Sequence, residues 1–299
     1  MKKIVYVISG PTATGKTALA TQLAKRIDGE VVSADSMQVY RGMDIGTAKP
    51  STMEMRAVPH HMIDIVEPDH DYSVAEYQTG AKMAIEDILQ RGKNPILTGG
   101  SGLYINAITY ALDFSTPADD ALRNTLEQKD AGELYCMLEA RDAIAAGRIH
   151  PNNKKRVIRA LERALSEDQN ASYDFEQYNE AYDFHITTLC CTRDKLYERI
   201  NARVDAMMAD GLEREVQGLA DQYGSAPTSM QAIGYKEFFA YFAGHASLDE
   251  AVESIKRNTR RFAKRQLTWF KRDQRARWID IEEITQPDEI VERILKNEE

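Results

Sequence analysis

The sequence of 299 residues predicts an α/β protein in which helices flank a parallel sheet and an all-helical segment interrupts the chain. The strand-like run "IVYVIS" leads directly into the glycine-containing stretch "GPTATGKT". Two further strand-like runs, "EVVSAD" and "NPILTGG", alternate with helical periodicity, which is typical of a parallel sheet. From about Ser115 the pattern becomes helical and stays so until the apolar run "FHITTLCC" restores a strand.

This change of pattern divides the chain into two parts. Residues 1–113 and 181–299 are predicted to form the sheet-containing core with basic C-terminal helices. Residues 114–180 are predicted to form a helical insertion domain, with helical character to about position 170. The clearest C-terminal helix is "AVESIKRNTRRFAKRQLTWFKRD". Its Ile255, Phe262 and Trp269 are spaced by seven residues and are predicted to line one face.

Composition and charge exclude several classes of protein. No apolar run reaches the length of about 18 residues that a membrane-spanning helix needs, and the N-terminus lacks a signal-peptide cleavage site, so we expect a cytoplasmic protein. The three cysteines include no C-x-x-C pair, which argues against a disulfide framework or a metal site. The net charge of -9 argues against indiscriminate binding to nucleic acids.

One basic stretch stands out from this acidic background. Between Lys256 and Arg277 there are ten lysines and arginines and a single acid, Asp273. Helices exposed to solvent commonly interleave acids with bases four residues apart, and this one does not. The stretch therefore predicts a surface that binds a polyanion at a defined place, with an ordinary solvated helix face as the alternative.

The stretch "GPTATGKT" fits the phosphate-loop pattern G-x-x-x-x-G-K-[ST] through Gly10, Gly15, Lys16 and Thr17. It follows a predicted strand and precedes a predicted helix, so backbone N–H groups and the helix N-terminus form an anion site. Lys16 adds a charge on the phosphates, and Thr17 can ligate Mg²⁺. The sequence thus predicts a P-loop NTPase-like core that binds a phosphorylated compound, but the motif alone names no reaction.

Asp35 stands at the end of the second predicted strand. Carboxyl ends of parallel strands converge on the ligand crevice, so we expect Asp35 beside the phosphate loop. Its carboxylate could cap a turn or hold Mg²⁺, or it could act as a general base toward an acceptor nucleophile. Position in the sequence does not separate these roles.

Two further groups are candidates for the same site. In "GGSGLY", from Gly99 to Tyr104, small residues would let a second substrate approach and Ser101 offers a hydroxyl, although a tight strand-to-helix turn explains the glycines equally well. Arg199 and Arg203 are four residues apart on a predicted helix and would suit a clamp on a diphosphate. The alternative is that they pair with neighbouring acids, Glu198 or Asp205.

Six motifs in this order resemble the bacterial tRNA dimethylallyltransferases, also called tRNA isopentenyltransferases. They are "GPTATGKT", "DSMQVYRGMDIGTAKP", "GGSGLY", "RIHPNNKKRVIRALE", "QAIGYKE" and "RRFAKRQLTWFKR". The resemblance implies transfer of a dimethylallyl group from dimethylallyl diphosphate to N6 of the adenine immediately 3′ of the anticodon, with Mg²⁺. It also implies that the partners are a tRNA anticodon stem-loop and this donor; we expect a monomer.

The resemblance implies roles for particular residues. Asp35 would be the general base, Arg203 would act on the leaving diphosphate, and Ser101 would serve both catalysis and tRNA binding. The donor diphosphate would be held by Gly10, Thr12, Ala13, Thr14, Gly15, Lys16 and Thr17, with Thr17 also on the metal. The tRNA would contact Ser36, Met37, Gln38, Ser101, Arg123, Lys155, Arg156, Arg159, Gly234, Tyr235, Lys236, Lys264, Arg265, Gln266 and Lys271.

The sequence departs from the family pattern at two positions and leaves two other functions open. Ser101 stands where the family commonly has Thr, and Asn153 stands where Asp is frequent, so the methyl contact and a local helix cap are in question. A P-loop nucleotide or small-molecule kinase would explain the phosphate loop but not the basic helix. An RNA-binding NTPase switch would need an apolar strand that ends in Asp and a water-positioning residue, and only "EVVSAD" supplies a part of these.

Overall fold

The computed structural model describes residues 3–114, 120–165, 177–283 and 286–296. Contacts within the chain divide it into two compact units: Met1–Thr109 with Asn179–Glu299, and Tyr110–Tyr178. In the sequence-based division the smaller part was 114–180. Among the described residues, no helix combines the length and the apolar character that are needed to cross a membrane.

The larger unit is built on a parallel sheet, which confirms the predicted fold class. Its six strands, counted over the described residues, are β1 (Lys3–Ser9), β2 (Gly29–Ser33), β3 (His60–His61), β4 (Asn94–Gly99), β5 (Tyr182–Cys190) and β6 (Arg277–Asp280). Their order is β3-β2-β4-β1-β5-β6. The apolar runs of β1 and β2 are buried, as expected of strands covered on both faces. Strand β1 lies near the middle, so the loop that follows it opens at the centre of the sheet edge.

The two short strands β3 and β6 were not predicted. Strand β3 has two residues, and β6 has four, in the stretch "RWID" directly after the basic segment. Neither carries an apolar run or an alternating pattern long enough to identify a strand. Each is defined by pairing with a neighbour, β3 with β2 and β6 with β5.

Helices cover the sheet and form the smaller unit. The first four are α1 (Lys16–Ile27), α2 (Thr52–Ala57), α3 (Val74–Gln90) and α4 (Gly102–Thr109). The smaller unit contains α5 (Asp120–Glu127), α6 (Ala131–Arg141), α7 (Ala143–Arg148) and α8 (Lys154–Leu165). The chain returns to the larger unit with α9 (Arg193–Ala209), α10 (Leu212–Tyr223), α11 (Phe238–Phe242), α12 (Leu248–Phe270) and α13 (Pro287–Leu295). The last residues of the predicted helical stretch, 166–170, lie outside the described residues.

The smaller unit has its own apolar core. Leu134, Leu138, Val157 and Leu161 are fully buried in it, on helices α6 and α8. Asn153 accepts a hydrogen bond from the backbone N–H of Arg156 through Oδ1 (3.3 Å), at the start of α8. The asparagine at this position therefore still provides a helix cap.

The buried face of the basic helix α12 overlaps the predicted one but is rotated from it. Ile255 is buried as expected, but Phe262 and Trp269 are only partly buried. The buried positions are Ala251, Ile255, Ala263, Gln266 and Phe270. An α-helix with 3.6 residues per turn drifts by about 20° over each step of seven, so Phe262 and Trp269 lie toward one edge of the buried face and are only partly covered.

Candidate active site

The phosphate loop has the backbone conformation that its glycines predict. At Gly10 φ is +143°, and a Cβ there would lie 2.6 Å from the carbonyl oxygen of Leu189, so a side chain does not fit. Ala13 and Gly15 also have positive φ, 66° and 87°, in the left-handed region. The chain then enters α1 at Lys16. The loop therefore wraps around the N-terminus of a helix, where an anion is favoured.

Two cations converge on this loop. Lys16 Nζ donates to the carbonyl oxygen of Pro11 (2.7 Å). Burial, followed by the charge of Arg203, lowers the pKa of Lys16 to about 7, and Asp35 opposes that shift. Burial also lowers the pKa of Arg203, again against the influence of Asp35. Two cations that disfavour each other form a site that an anion would stabilise.

The arginines of α9 have separate tasks. Arg199 Nε donates to the carbonyl oxygen of Ala13 (2.7 Å) and so braces the loop from outside. Arg203 lines the cleft and makes no ion pair with the residues that the structure describes. The neighbouring acids are engaged elsewhere, Glu198 with Lys195 and Asp205 with Lys256. The interpretation of these arginines as a pair with adjacent acids is therefore wrong.

Asp35 lies two residues beyond β2 and lines the same cleft as Lys16 and Arg203. Its Oδ1 accepts a hydrogen bond from the backbone N–H of Met37 (2.9 Å). Within the described part of the chain, its second carboxylate oxygen has no hydrogen-bond partner. The side chain is thus oriented by its own turn and keeps one oxygen for another group.

The turn after β4 supports the segment that carries Asp35. Ser101 Oγ accepts from the backbone N–H of Ser36 (2.9 Å) and donates to Ser36 Oγ (3.1 Å). The backbone N–H of Ser101 donates to the carbonyl oxygen of Ala34 (3.1 Å). Ser101 therefore holds the residues on both sides of Asp35. It holds Ser36 through the hydroxyl that Ser and Thr share, and Ala34 through its backbone N–H.

The glycines of this turn are required by protein packing. A Cβ on Gly99 would lie 2.0 Å from the carbonyl oxygen of Ala34, and one on Gly102 would lie 2.2 Å from the indole of Trp269. A Cβ on Gly100 would lie 2.4 Å from Gln266 Nε2. These contacts favour the tight turn over the close approach of a second substrate as the explanation of the glycines.

These elements enclose a cleft of about 560 Å³. The predicted residues that line it are Thr12, Ala13, Gly15, Lys16, Thr17, Asp35, Ser36, Met37, Gln38, Ser101, Arg203, Gly234, Arg265 and Gln266. One wall is apolar, and its residues were not predicted as part of the site. They are Ile200, Val204 and Met207 on α9 and Ile255 and Phe262 on α12. The α9 members repeat with helical spacing on the face of Arg203, and this spacing was the signal that would have revealed them.

Several side chains that were predicted to contact a substrate are instead bonded within the protein. Tyr235 is fully buried and its hydroxyl donates to Glu215 Oε1 (2.6 Å), so its ring offers no surface to a tRNA and the prediction of a contact by this side chain is corrected. Gln38 is buried and donates to the carbonyl oxygens of Thr47 and Ala48. Thr14 Oγ1 donates to Pro11 within the loop. Gly10, Thr14, Tyr235, Lys236, Lys264 and Lys271 lie outside the cleft lining.

Glu215 was missed by the sequence analysis. Its carboxylate accepts hydrogen bonds from three consecutive backbone N–H groups, those of Asp44, Ile45 and Gly46, in addition to the Tyr235 hydroxyl. The loop that follows these residues lines the cleft through Gly46–Pro50. No local pattern identifies this role, because about 170 residues separate the carboxylate from the amides.

The ten cations of the basic stretch fall into two groups. Lys256 pairs with Asp205, Arg260 donates to Asn201, Arg275 pairs with Asp273 and Arg277 donates to a backbone carbonyl. The others are exposed and have no carboxylate partner among the described residues: Arg257, Arg261, Lys264, Arg265, Lys271 and Arg272. We call these six the basic face. Lys236 is exposed as well.

The insertion carries the remaining predicted tRNA contacts. Arg123 and Arg159 both bond to the carboxylate of Glu162, which is buried. Burial by itself raises the pKa of Glu162. The hydrogen bonds from the two arginines lower the pKa by more than burial raises it, so the pKa lies below its usual value. Lys155 and Arg156 are exposed. Within this unit the two arginines thus stabilise the fold, and the two exposed cations are free to meet an anion.

The donor set in the cleft suits a magnesium ion that is carried by a phosphate. The described residues contain no group of three His, Cys, Asp or Glu that would hold a metal by themselves. The Thr17 hydroxyl donates to no described residue, and both Thr17 and Asp35 line the cleft. Mg²⁺ is commonly bound by one or two protein oxygens together with substrate phosphates and water, so these residues fit it.

A phosphate loop, an arginine and a carboxylate that share a cleft with an apolar wall define an α/β enzyme for an anionic, partly apolar substrate. The comparisons with known proteins identify the family. The model of the IPP transferase family matches residues 38–273, and the chain belongs to that family. This confirms the resemblance found in the sequence.

Relatives match over almost the whole chain. A tRNA dimethylallyltransferase of Anoxybacillus flavithermus is 46% identical over 95% of this chain and 93% of its own length. The crystal structure of a tRNA isopentenylpyrophosphate transferase of Staphylococcus epidermidis has a TM-score of 0.75 at 41% identity and covers 99% of both chains. A eukaryotic dimethylallyltransferase acting on tRNA has a TM-score of 0.81 at 29% identity, over 93% of this chain and 74% of its own.

Proposed function

We propose that this protein transfers a dimethylallyl group from dimethylallyl diphosphate to N6 of the adenine immediately 3′ of the anticodon in tRNA and releases diphosphate. The observation that carries the proposal is the composition of one cleft. Lys16, Arg203 and the phosphate loop form an end of the cleft that binds an anion, the α9 wall forms an apolar end, and Asp35 provides a carboxylate. A kinase would use the loop but has no evident need for the apolar wall, and the relatives do not favour it.

The donor binds with its diphosphate at the phosphate loop. Lys16 and Arg203 hold its oxygens, and Ile200, Val204 and Met207 cover the hydrocarbon end and keep water from the allylic carbon. Thr17, together with the phosphate oxygens, would hold Mg²⁺, which would supply further positive charge at the leaving group. Binding the anion also restores the full charge of Lys16, which burial disfavours in the free protein.

Transfer forms one carbon–nitrogen bond and breaks one carbon–oxygen bond, and a proton passes from N6 to a base. The N6 nitrogen of adenine attacks the allylic carbon of the donor as the carbon–oxygen bond to the diphosphate breaks, and the electron pair of that bond leaves with the diphosphate. Asp35 accepts the proton that N6 loses, through the carboxylate oxygen that no described residue engages. Arg203 and Lys16 stabilise the diphosphate as its charge grows.

The phosphates of the tRNA contact exposed cations of the protein, and a single base of the tRNA enters the cleft. The basic face of α12 and the exposed Lys155 and Arg156 of the insertion are the proposed contacts for phosphates of the anticodon stem-loop. The adenine must leave the stack of neighbouring bases to reach a cleft of this size. Ser36, Met37 and Gly234 line that cleft and are the proposed contacts for the extruded nucleotide.

A transfer assay tests this function directly. The protein is incubated with Mg²⁺, an adenine-containing anticodon stem-loop and either dimethylallyl diphosphate or ATP, and the mass of the RNA is measured. We expect a gain of one prenyl unit with the first donor and no change with ATP. Phosphate release from ATP without a change in the RNA would support the kinase or NTPase hypothesis instead.

Arg203→Ala gives the matched test of the leaving-group site. It should lower the rate of transfer more than the affinity for the donor, because its hydrogen bonds strengthen as charge builds on the diphosphate. Arg193→Ala, which removes an exposed arginine of the same helix that lies over Tyr197, is the control and should leave the rate unchanged. Equal losses in both variants would contradict the role of Arg203.

A further inference from the structure

Gln266 differs from the polar residues around it on α12. It is only 5% exposed, whereas Lys264 and Arg265 on the same turn are exposed and belong to the basic face. Its Oε1 accepts a hydrogen bond from the backbone N–H of Thr12 (2.9 Å), and its Nε2 donates to the carbonyl oxygen of Gly100 (2.9 Å). The oxygen and the nitrogen of the side-chain amide are thus each bonded to a loop that lines the cleft.

These two bonds join the parts of the site that handle different substrates. Thr12 belongs to the phosphate loop, which is the proposed seat of the donor. Gly100 directly precedes Ser101, whose hydroxyl fixes the backbone of Ser36 beside Asp35. One amide therefore holds the donor loop and the segment of the general base in a common position against α12.

The fit between the amide and the two loops leaves little freedom. A Cβ on Gly100 would lie 2.4 Å from Gln266 Nε2, so the glycine is what allows this approach. Trp269, three residues further along α12, packs against Gly102 in the same turn, where a Cβ would lie 2.2 Å from the indole. A shift of α12 against the sheet therefore moves the turn after β4 and, through Gln266, the phosphate loop.

We propose that Gln266 is a positioning residue that couples RNA binding on the basic face to donor binding at the phosphate loop. The inference rests on the proposed function, since it takes the basic face as the surface that binds RNA. RNA phosphates that bind Lys264 and Arg265 hold α12 in place, and Gln266 transmits that restraint to Thr12 and Gly100. By linkage, each ligand then tightens the binding of the other by the same factor.

The test measures this factor. The probes are inorganic diphosphate with Mg²⁺, which does not react, and an adenine-containing anticodon stem-loop. The dissociation constant of each is measured alone and in the presence of the other, in the unaltered protein and in Gln266→Met, which keeps the length of the side chain and removes both hydrogen bonds. Thr268→Ala, an exposed position two residues further along the helix, is the matched control.

We expect a coupling factor of at least about fivefold in the unaltered protein and in Thr268→Ala, and of about one in Gln266→Met. The affinity of Gln266→Met for RNA without diphosphate should stay within about twofold, because the side chain does not lie on the basic face. Gln266→Glu retains the acceptor for Thr12 but places a carboxylate oxygen against the Gly100 carbonyl. It should lose the coupling as well, and it decides the matter if the Met variant does not fold.

Three results would overturn the proposal. The first is the absence of coupling in the unaltered protein, and the second is unchanged coupling in the folded Gln266 variants. The third is a loss of RNA affinity in donor-free Gln266→Met as large as that of Lys264→Ala, which would make Gln266 a direct RNA contact. Prenyl transfer by the unaltered protein is measured alongside, so a protein that transfers the group without this coupling refutes the inference and leaves the proposed function standing.

Discussion

The affinity for the donor should fall as the pH rises above about 7, and Lys16 should be the cause. Burial and the nearby Arg203 charge lower the pKa of this lysine to about 7 in the free protein. A bound diphosphate favours the charged form, so the complex holds more protons than the free protein above that pH. Donor binding must therefore take up a proton, and a rise in pH opposes it.

The size of the effect follows from the pKa. At about pH 8, one unit above a pKa of about 7, roughly a tenth of the free protein carries the charge on Lys16. Above this pKa, protonating Lys16 before the anion binds costs about 1.4 kcal/mol for each pH unit. This cost corresponds to a tenfold loss of affinity per pH unit. The loss continues with rising pH until the pKa of Lys16 in the complex is reached.

Isothermal titration calorimetry measures both the affinity for diphosphate and the number of protons that are taken up on binding. Diphosphate with Mg²⁺ is titrated at about pH 8 in buffers of different ionisation enthalpy, and the slope of the observed heat gives the number of protons taken up; we expect about one. Lys16→Arg is the control, because an arginine stays charged over this range, and the ionisation of the ligand is common to both proteins. Equal proton uptake in the two proteins would refute the assignment of the pH dependence to Lys16.

The remaining predictions concern the base, the basic face and the loop 44–46. Asp35→Asn should slow single-turnover transfer by about 10²-fold or more with RNA affinity unchanged, because general-base catalysis is worth that much; an unaltered rate would remove it from the mechanism. Lys264→Ala should lower the slope of log affinity for the stem-loop against log salt by about one, whereas the exposed Lys25→Ala should not, and equal slopes would make the basic face an ordinary surface. Glu215→Gln should reduce the free energy of unfolding in urea by about 1–3 kcal/mol, because an amide cannot accept all the hydrogen bonds that the carboxylate accepts; unchanged stability would show that the bonds contribute little.

Local patterns in the sequence were sufficient where function depends on adjacent residues. The spacing of Gly10, Gly15 and Lys16 between an apolar run and a helical period predicted the loop and the start of α1, and the structure places them so. The alternation of strand and helix predicted the parallel sheet. These features are set by backbone geometry and burial within a few residues, which the sequence states directly.

Other features depended on residues that are close only in the folded chain. The family resemblance implied that Gln266 and Tyr235 contact tRNA. Gln266 instead bonds to Thr12 across 254 residues, and Tyr235 is fully buried against Glu215. The buried face of α12 likewise depends on the elements that pack against it. Cations lie on most sides of this helix, so its amphipathic pattern does not show which face is buried.

The sequence by itself therefore determined the fold class, the phosphate loop, the family and the types of residue that carry the chemistry. Only the tertiary structure decided that Arg203 faces the cleft while Arg199 braces the loop, and that Gln266 joins two loops. It also decided that six of the ten cations are exposed and without a carboxylate partner among the described residues. The physical reason is that burial and pairing of a polar side chain are properties of the packed neighbourhood. That neighbourhood brings together groups whose separation in the chain leaves no local pattern to read.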